Sequence, residues 1–194
     1  MIVTLYRDRH LEVLDKPAGI PVVPPRQGGD NLAQMTGFFV CHRLDTETSG
    51  VLVMARTAAG HRLLSTAFAE GRVEKEYAAV VAGDLPDEGE STVPLGAWHR
   101  GRVAIGRGRP SRTHWKVRWR EDGRAGVLVM PITGRTHQIR AHLSERGAPI
   151  VGDEAYGGPP SDRLYLHAWA VRIPWPGPGD RLEIRSPLPP GFDP

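Results

Sequence analysis

The chain has a single cysteine, only three lysines and no apolar stretch long enough to cross a bilayer. Cys41 alone forms no internal disulfide, and with no Cys or His at ligand spacing around it, it anchors no zinc site. A reducing compartment fits. The longest apolar pieces, such as Gly50 to Ala55, fall far short of the roughly 20 residues a spanning helix needs. Met1 to Asp15 alternates apolar with charged residues and lacks the unbroken apolar stretch of a secretory signal, so a cytoplasmic protein is expected. No internal repeat and no linker-like tract divides the sequence, and a single domain over 1–194 is expected. The 23 glycines and 18 prolines make the chain loop-rich, yet under the roughly 25–30% at which disorder becomes the better account. With 40% apolar residues it can bury a core.

Positive charge is present mainly as arginine, 22 of the 25 basic residues, and unevenly. Between Trp98 and Arg124 nine Arg or Lys residues stand against Glu121 and Asp122, so that segment carries +7 within a chain whose formal charge is +3. The remainder is mildly acidic. A local basic patch on such a body suits an anionic polymer, although a solvated basic hairpin would have the same composition.

Hydrophobic periodicity outlines the elements. Residues 2–6 and 11–14 read as short strands, followed by a turn at Lys16-Pro17-Ala18-Gly19 and a Pro/Gly loop from Pro21 to Gly29. Asn31 to Met35 has room for one or two helical turns. Gly50 to Ala55 is a short apolar strand, and Thr57 caps a helix with Leu63, Leu64, Ala67 and Phe68 on one face and Gly71 as its terminator. Tyr77 to Ala82 reads as a buried strand. Trp115, Val117 and Trp119 alternate with Lys116, Arg118 and Arg120 in a strand pair, and Val127 to Met130 is a further strand. A helix starting near Thr136 buries Ile139 and Leu143 and ends at Gly147. Leu164 to Val171 and Leu182 to Ile184 close the chain as strands around Pro176 to Asp180. Many strands and two clear helices, without regular strand–helix alternation, indicate an α+β fold with a mixed, largely antiparallel sheet and a few flanking helices.

Three segments hold residues suited to chemistry. In Cys41 to Gly50 a carboxylate, Asp45, is presented from a loop of small hydroxyl residues that leads into a strand. Cys41 and His42 are adjacent, and on a strand would point to opposite faces, which argues against a Cys–His nucleophile pair. No G-x-S-x-G elbow surrounds Ser49, and no second carboxylate stands at metal-site spacing. By spacing alone Asp45 reads equally well as a turn-capping residue. In Gly134 to Leu143, Arg135 precedes a helix, while His137 and His142 are five apart and share no helix face, so no zinc pair is expected. In Lys75-Glu76-Tyr77 a tyrosine opens a buried strand, where its hydroxyl needs a partner.

Together these residues resemble the RluA-type pseudouridine synthase family. Leu14-Asp15-Lys16-Pro17-Ala18-Gly19 is similar to its N-terminal motif, and His42 to Gly50 matches the signature H-R-L-D-x-x-T-S-G at every specified position. The likeness continues through Lys75-Glu76-Tyr77, Gly134 to Leu143, Gly152-Asp153 with Tyr156-Gly157, and Leu164 to Ala168. It runs in one order from about Leu11 to Pro189. Two departures concern the substrate: no small RNA-binding domain is expected ahead of the catalytic part, and the loop from Pro21 to Gly37 is short.

The resemblance implies a pseudouridine synthase fold with a catalytic cleft. Its enzyme detaches uracil from ribose in RNA, rotates it and rejoins it through a carbon–carbon bond, with no cofactor and no metal. It implies Asp45 as the nucleophile, kept ionised by Arg135, and Tyr77 as the group against the base that moves a proton. Whether the aspartate attacks the sugar, attacks the base or assists an elimination stays open. Arg43 resembles the residue that fills the space left by a flipped nucleotide. Ile139 is counted with the substrate-binding residues, as are Arg102, Arg107, Arg109 and Arg112, which lie among Gly and Pro in what reads as a mobile loop and would contact phosphates. Trp98, Trp115 and Trp119 would stack on bases where exposed, though core positions suit them better. The expected partner is ribosomal or transfer RNA, with the protein a monomer away from membranes. Two rivals remain. A catalytically inactive RNA-binding module is disfavoured by intact Asp45, Tyr77 and Arg135, and a glycoside hydrolase by the lack of a second carboxylate.

Overall fold

The computed structural model describes residues 2–25, 28–175 and 181–193. In chain order its elements are β1 (Val3–Arg7), β2 (Leu11–Lys16), α1 (Leu32–Thr36), β3 (Phe39–Val40), β4 (Ser49–Ala55), α2 (Ala58–Ala69), β5 (Glu74–Ala82), β6 (Glu88–Ser91), β7 (Leu95–His99), β8 (Arg102–Ile105), β9 (Thr113–Glu121), β10 (Arg124–Pro131), α3 (Gln138–Glu145), β11 (Leu166–Ile173) and β12 (Leu182–Arg185), with a 3-10 turn at Glu154–Tyr156. The chain is α+β, and the pairs β1–β2, β2–β4, β3–β4, β11–β12, β5–β10, β9–β10, β6–β9 and β7–β8 are antiparallel. It forms two compact units, Met1–Lys75 with Ala168–Pro187, and Glu76–His167 with Leu188–Pro194. The turn expected at Pro176 to Asp180 lies outside the described residues.

In the first unit the sheet order is β1-β2-β4-β11, with β3 also on β4 and β12 on β11. The β2–β4 register runs unbroken from Leu11 opposite Ala55 to Lys16 opposite Gly50. Every residue of β4 is buried, which explains an apolar run without polar alternation. Val51, Val53 and Ala55 pack with Leu11, Val13, Val171, Ile173 and Ile184 against Leu64 and Ala67 of α2. Thr57 caps α2 by accepting the Gly60 N–H at 3.2 Å, and Gly71 follows its end at φ +69°. The buried helix face is Gly60, Leu64 and Ala67, an i, i+4, i+7 stripe. Leu63 was expected on it but is 54% exposed, because its place one residue along turns it about 100° away.

In the second unit the order is β5-β10-β9-β6. Asp122 and Gly123, both at positive φ (+47° and +73°), close the β9–β10 hairpin in the manner of a type I′ turn. One sheet face receives α3, whose Ile139 and Leu143 pack with Val81, Trp115, Val127 and Val129. Burying two such side chains contributes roughly 1.5–3 kcal/mol each. α3 begins at Gln138, later than the sequence suggests, because His137 at φ +51° and ψ +23° stands outside the helix.

A separate ribbon, β7–β8, turns through Arg100 and Gly101 at φ +48° and +85°. Its continuation folds back on it. Leu95 and Arg109 exchange both backbone hydrogen bonds, at 3.0 and 2.9 Å, and a Cβ on Gly108 would lie 2.4 Å from the Leu95 carbonyl oxygen. The expected loop of free arginines is therefore corrected: Arg102 belongs to a strand, and Arg109 is tied into a backbone ladder.

Candidate active site

In the first unit, His42-Arg43-Leu44-Asp45 alternates anchors with presented groups. The Val53 N–H donates to His42 Nε2 at 2.9 Å, and the ring stacks on Phe68 at 4.5 Å. Burial, assisted by the Lys75 ammonium, pushes the imidazole down to about 3, so it stays neutral and takes no part in proton transfer near pH 7. Leu44 is buried and Arg43 exposed. Asp45 follows, half-buried, in a turn closed by the Thr48 N–H donating to the Asp45 carbonyl at 3.1 Å. Burial pushes the Cys41 thiol up to about 12, which leaves it protonated and inert.

The sequence reading missed Lys16, which is fully buried at the end of β2. Its Nζ donates to the carbonyls of Pro17, Ile20 and Thr46, each at 2.8 Å. Thr46 also accepts from the Gly19 N–H at 2.9 Å, so the Lys16-Pro17-Ala18-Gly19 turn and the Asp45 loop are sewn together. Burial lowers the Lys16 pKa to about 8, against the pull of the Glu47 and Asp45 carboxylates. The ammonium thus supplies the Asp45 loop with a fixed positive charge at neutral pH. Gly50 ends the loop at φ +105°, where a Cβ would come within 2.2 Å of the Ala168 carbonyl oxygen.

In the second unit, Tyr77 stands half-buried on β5 opposite Val129 and packs against the core. Arg135 is held through its backbone. Its N–H donates to Gln138 Oε1 at 3.0 Å, while Gln138 Nε2 donates to the Arg112 carbonyl and Thr113 Oγ1, each at 3.0 Å. The Arg135 Nε donates to the Pro110 carbonyl at 3.3 Å. Gln138 is the second residue that the sequence reading missed. Ile139, expected to touch substrate, is 6% exposed and belongs to the core, because the helix face that it shares with Leu143 covers the sheet.

The basic stretch is partly neutralised by carboxylates that are distant in sequence. Arg112 pairs with Glu90 at 2.7 Å and Arg120 with Asp87 at 2.7 Å, and Lys116 pairs with Glu88. Arg112 is thereby a weaker candidate for phosphate contact than its sequence neighbours suggest. Among the described residues no carboxylate pairs with Arg100, Arg102, Arg107 or Arg109, and all four are exposed or border the exposed ribbon. Trp115 is buried with its Nε1 donating to the Pro86 carbonyl, and Trp119 donates to the Phe192 carbonyl, whereas Trp98 on β7 is 49% exposed. Among the described residues no three His, Cys, Asp or Glu side chains are placed to hold a metal ion, and no helix is long and apolar enough to cross a membrane.

The profile of the RNA pseudouridylate synthase family matches residues 10–145, a span that includes Lys16, the Asp45 loop, Tyr77 and Arg135. The chain belongs to this family. The dual-specificity RNA pseudouridine synthase RluA of Escherichia coli K12 is 36% identical over 203 residues, covering 96% of this chain and 93% of that protein. The ribosomal large subunit pseudouridine synthase D of Nitrosomonas europaea is 35% identical, over 95% of this chain and 61% of its own length. Among solved structures, human RNA pseudouridylate synthase domain containing 1 superposes with a TM-score of 0.81 at 29% identity, over 97% of this chain and 84% of that one. The pseudouridine synthase is accordingly an isomerase, with the family's α+β, largely antiparallel architecture.

Proposed function

We propose that this pseudouridine synthase isomerises specific uridines in structured ribosomal or transfer RNA, with Asp45 as its nucleophile. The observation that carries the assignment of Asp45 is the construction of its loop: His42 and Leu44 anchor the segment, Lys16 and Gly19 hold Thr46, and the half-buried Asp45 is fixed between them. The reaction exchanges the carbon–nitrogen bond between base and sugar for a carbon–carbon bond. A proton leaves the ring carbon and one is gained on the ring nitrogen, so atoms and electrons balance without an oxidant or a cofactor. Tyr77 is assigned the proton transfer, Arg135 the cationic support of the anionic chemistry, and Arg43 the space left by a flipped nucleotide. Arg102, Arg107 and Arg109, unpaired with carboxylates, form the phosphate-contacting surface, with Arg112 a lesser contributor because of Glu90. The names of the relatives, one dual-specificity and one ribosomal, support an RNA substrate of either class. We place the enzyme in the cytoplasm as a monomer.

The test is pseudouridine mapping of total RNA treated with purified protein. The wild-type chain should introduce pseudouridine at defined positions, and Asp45→Asn should introduce none while binding RNA nearly as well. Turnover by Asp45→Asn would remove Asp45 from the mechanism, and RNA binding without turnover by the wild-type chain would favour the inactive module.

A further inference from the structure

The segment Gly152-Asp153 with Tyr156-Gly157 has no part in the chemistry above, yet its side chains reach the ribbon that carries the unpaired arginines. Tyr156, 5% exposed in the 3-10 turn, accepts the Val103 N–H of β8 at 2.9 Å with its hydroxyl oxygen, and the same hydroxyl lies 3.1 Å from His137 Nδ1. Its ring is fixed from two sides. The His137 ring meets it edge-on at 5.7 Å, and the Arg140 guanidinium lies over it at 5.1 Å. Arg140 is itself clamped by Asp153 through two hydrogen bonds of 2.7 and 2.8 Å.

The ribbon needs such a fastening. Two-stranded ribbons are marginal in water, and this one contributes only Leu95 and Val103 to a small cluster completed by Ala141 and Tyr156. The left-handed backbone of His137, rare for a residue with a Cβ, is what stands its ring against Tyr156 at the start of α3. We propose that Tyr156 is a positioning residue for RNA binding: its hydroxyl pins the β7–β8 ribbon to the turn that follows Arg135, so that Arg102 and its neighbours are presented as a preorganised surface. This rests on the reading of those arginines as the phosphate contacts. Removal of the hydroxyl leaves the buried Val103 N–H without an acceptor and frees the ribbon to open.

Two measurements decide it. In the wild-type chain, hydrogen exchange at the Val103 amide should be much slower than at Gly101 and Arg102 on the ribbon tip, and in Tyr156→Phe the protection should be lost across 95–105 but kept in β10. Exchange at Val103 as fast as at the tip would overturn the pin, whatever the RNA does. For binding, Tyr156→Phe should weaken RNA affinity roughly tenfold, the scale of one lost buried hydrogen bond, with KM rising more than kcat falls. In an Arg102→Ala, Arg107→Ala, Arg109→Ala background the same substitution should weaken binding less than twofold. Equal losses in both backgrounds would assign Tyr156 a general structural role. If the triple-alanine chain binds RNA as tightly as wild type, the arginine reading fails, and the exchange data alone still report on the pin.

Discussion

At the scale of the residue, the segment from His42 to Asp45 divides its positions by burial, and that division explains why a histidine beside the proposed nucleophile does no proton chemistry. With its pKa pushed down to about 3 and its Nε2 occupied by the Val53 N–H, His42 is a spacer. If Tyr77 moves the proton as proposed, Tyr77→Phe, which keeps the ring against its core neighbours, should bind RNA with nearly unchanged affinity while kcat falls by about 10²-fold or more. Single-turnover kinetics beside a binding titration would check this, and full activity would reduce Tyr77 to packing. The buried role of Lys16 is not legible in the sequence for a physical reason: a lysine in a Pro/Gly turn reads as exposed, since lysines are almost never fully buried unless paired. Its three carbonyl acceptors come from Pro17, Ile20 and Thr46, and the last of these is thirty positions away. Lys16→Met should take this donor from all three, Thr46 alone keeping the Gly19 N–H, and cost about 2 kcal/mol or more in denaturant unfolding, with activity lost beyond what the unfolded fraction explains. Activity that tracks the folded fraction alone would make Lys16 a stabiliser without influence on the Asp45 loop.

At the scale of the element, what was legible in the sequence had a local cause. Thr57 and Gly71 bounded α2 because capping and a left-handed terminator act within one turn, and the alternation of Trp115 and Val117 marked β9 because a strand's period is two. The β7–β8 ribbon reads as a mobile loop in the sequence because its stability comes from the Leu95–Arg109 ladder and from Tyr156, partners that composition does not reveal. The Arg100-Gly101 and Asp122-Gly123 turns, both at positive φ, were the signals available for the two hairpins. The charge of the basic stretch also depends on the fold. Within the stretch only Glu121 and Asp122 offset it, and Asp87, Glu88 and Glu90 are brought beside it by the chain's folding. The arginines outside those pairs set a graded expectation for salt dependence. Each of Arg102→Ala, Arg107→Ala and Arg109→Ala should reduce the magnitude of the log–log salt slope of RNA binding by about 0.7–0.9, and Arg112→Ala by distinctly less. Equal reductions at all four positions would show that Glu90 releases Arg112 when RNA binds.

At the scale of the whole molecule, both compact units carry histidines that burial keeps neutral. His42 in the first unit is held at about 3, and in the second His167 is held at about 4 and His142 is lowered by the same cause. His142 has no exposed surface, and its ring spans Thr113 Oγ1 at 2.8 Å and the Val93 carbonyl at 2.9 Å. In each case the folded pKa lies below the unfolded value near 6.5, so between those limits the unfolded chain binds protons that the folded chain refuses. Stability must therefore fall as pH drops below about 6.5, by up to about 1.4 kcal/mol per pH unit for each histidine once the unfolded forms are fully protonated. His42 and His167 together approach about 3 kcal/mol per pH unit between about pH 5.5 and pH 4, a large part of a typical margin of about 5–15 kcal/mol, and His142 adds a loss of the same sign. The carboxylates of Asp8, Glu12 and Glu183, which their hydrogen-bonded partners hold low, add a loss of the same sign but only below about pH 4. Denaturant unfolding at pH 7, 6, 5.5 and 5 should thus show a steepening decline well above the carboxylate range, and His142→Asn should make that decline shallower while lowering stability at pH 7. A flat profile down to pH 5 would mean that these imidazoles are reached by protons in the folded state.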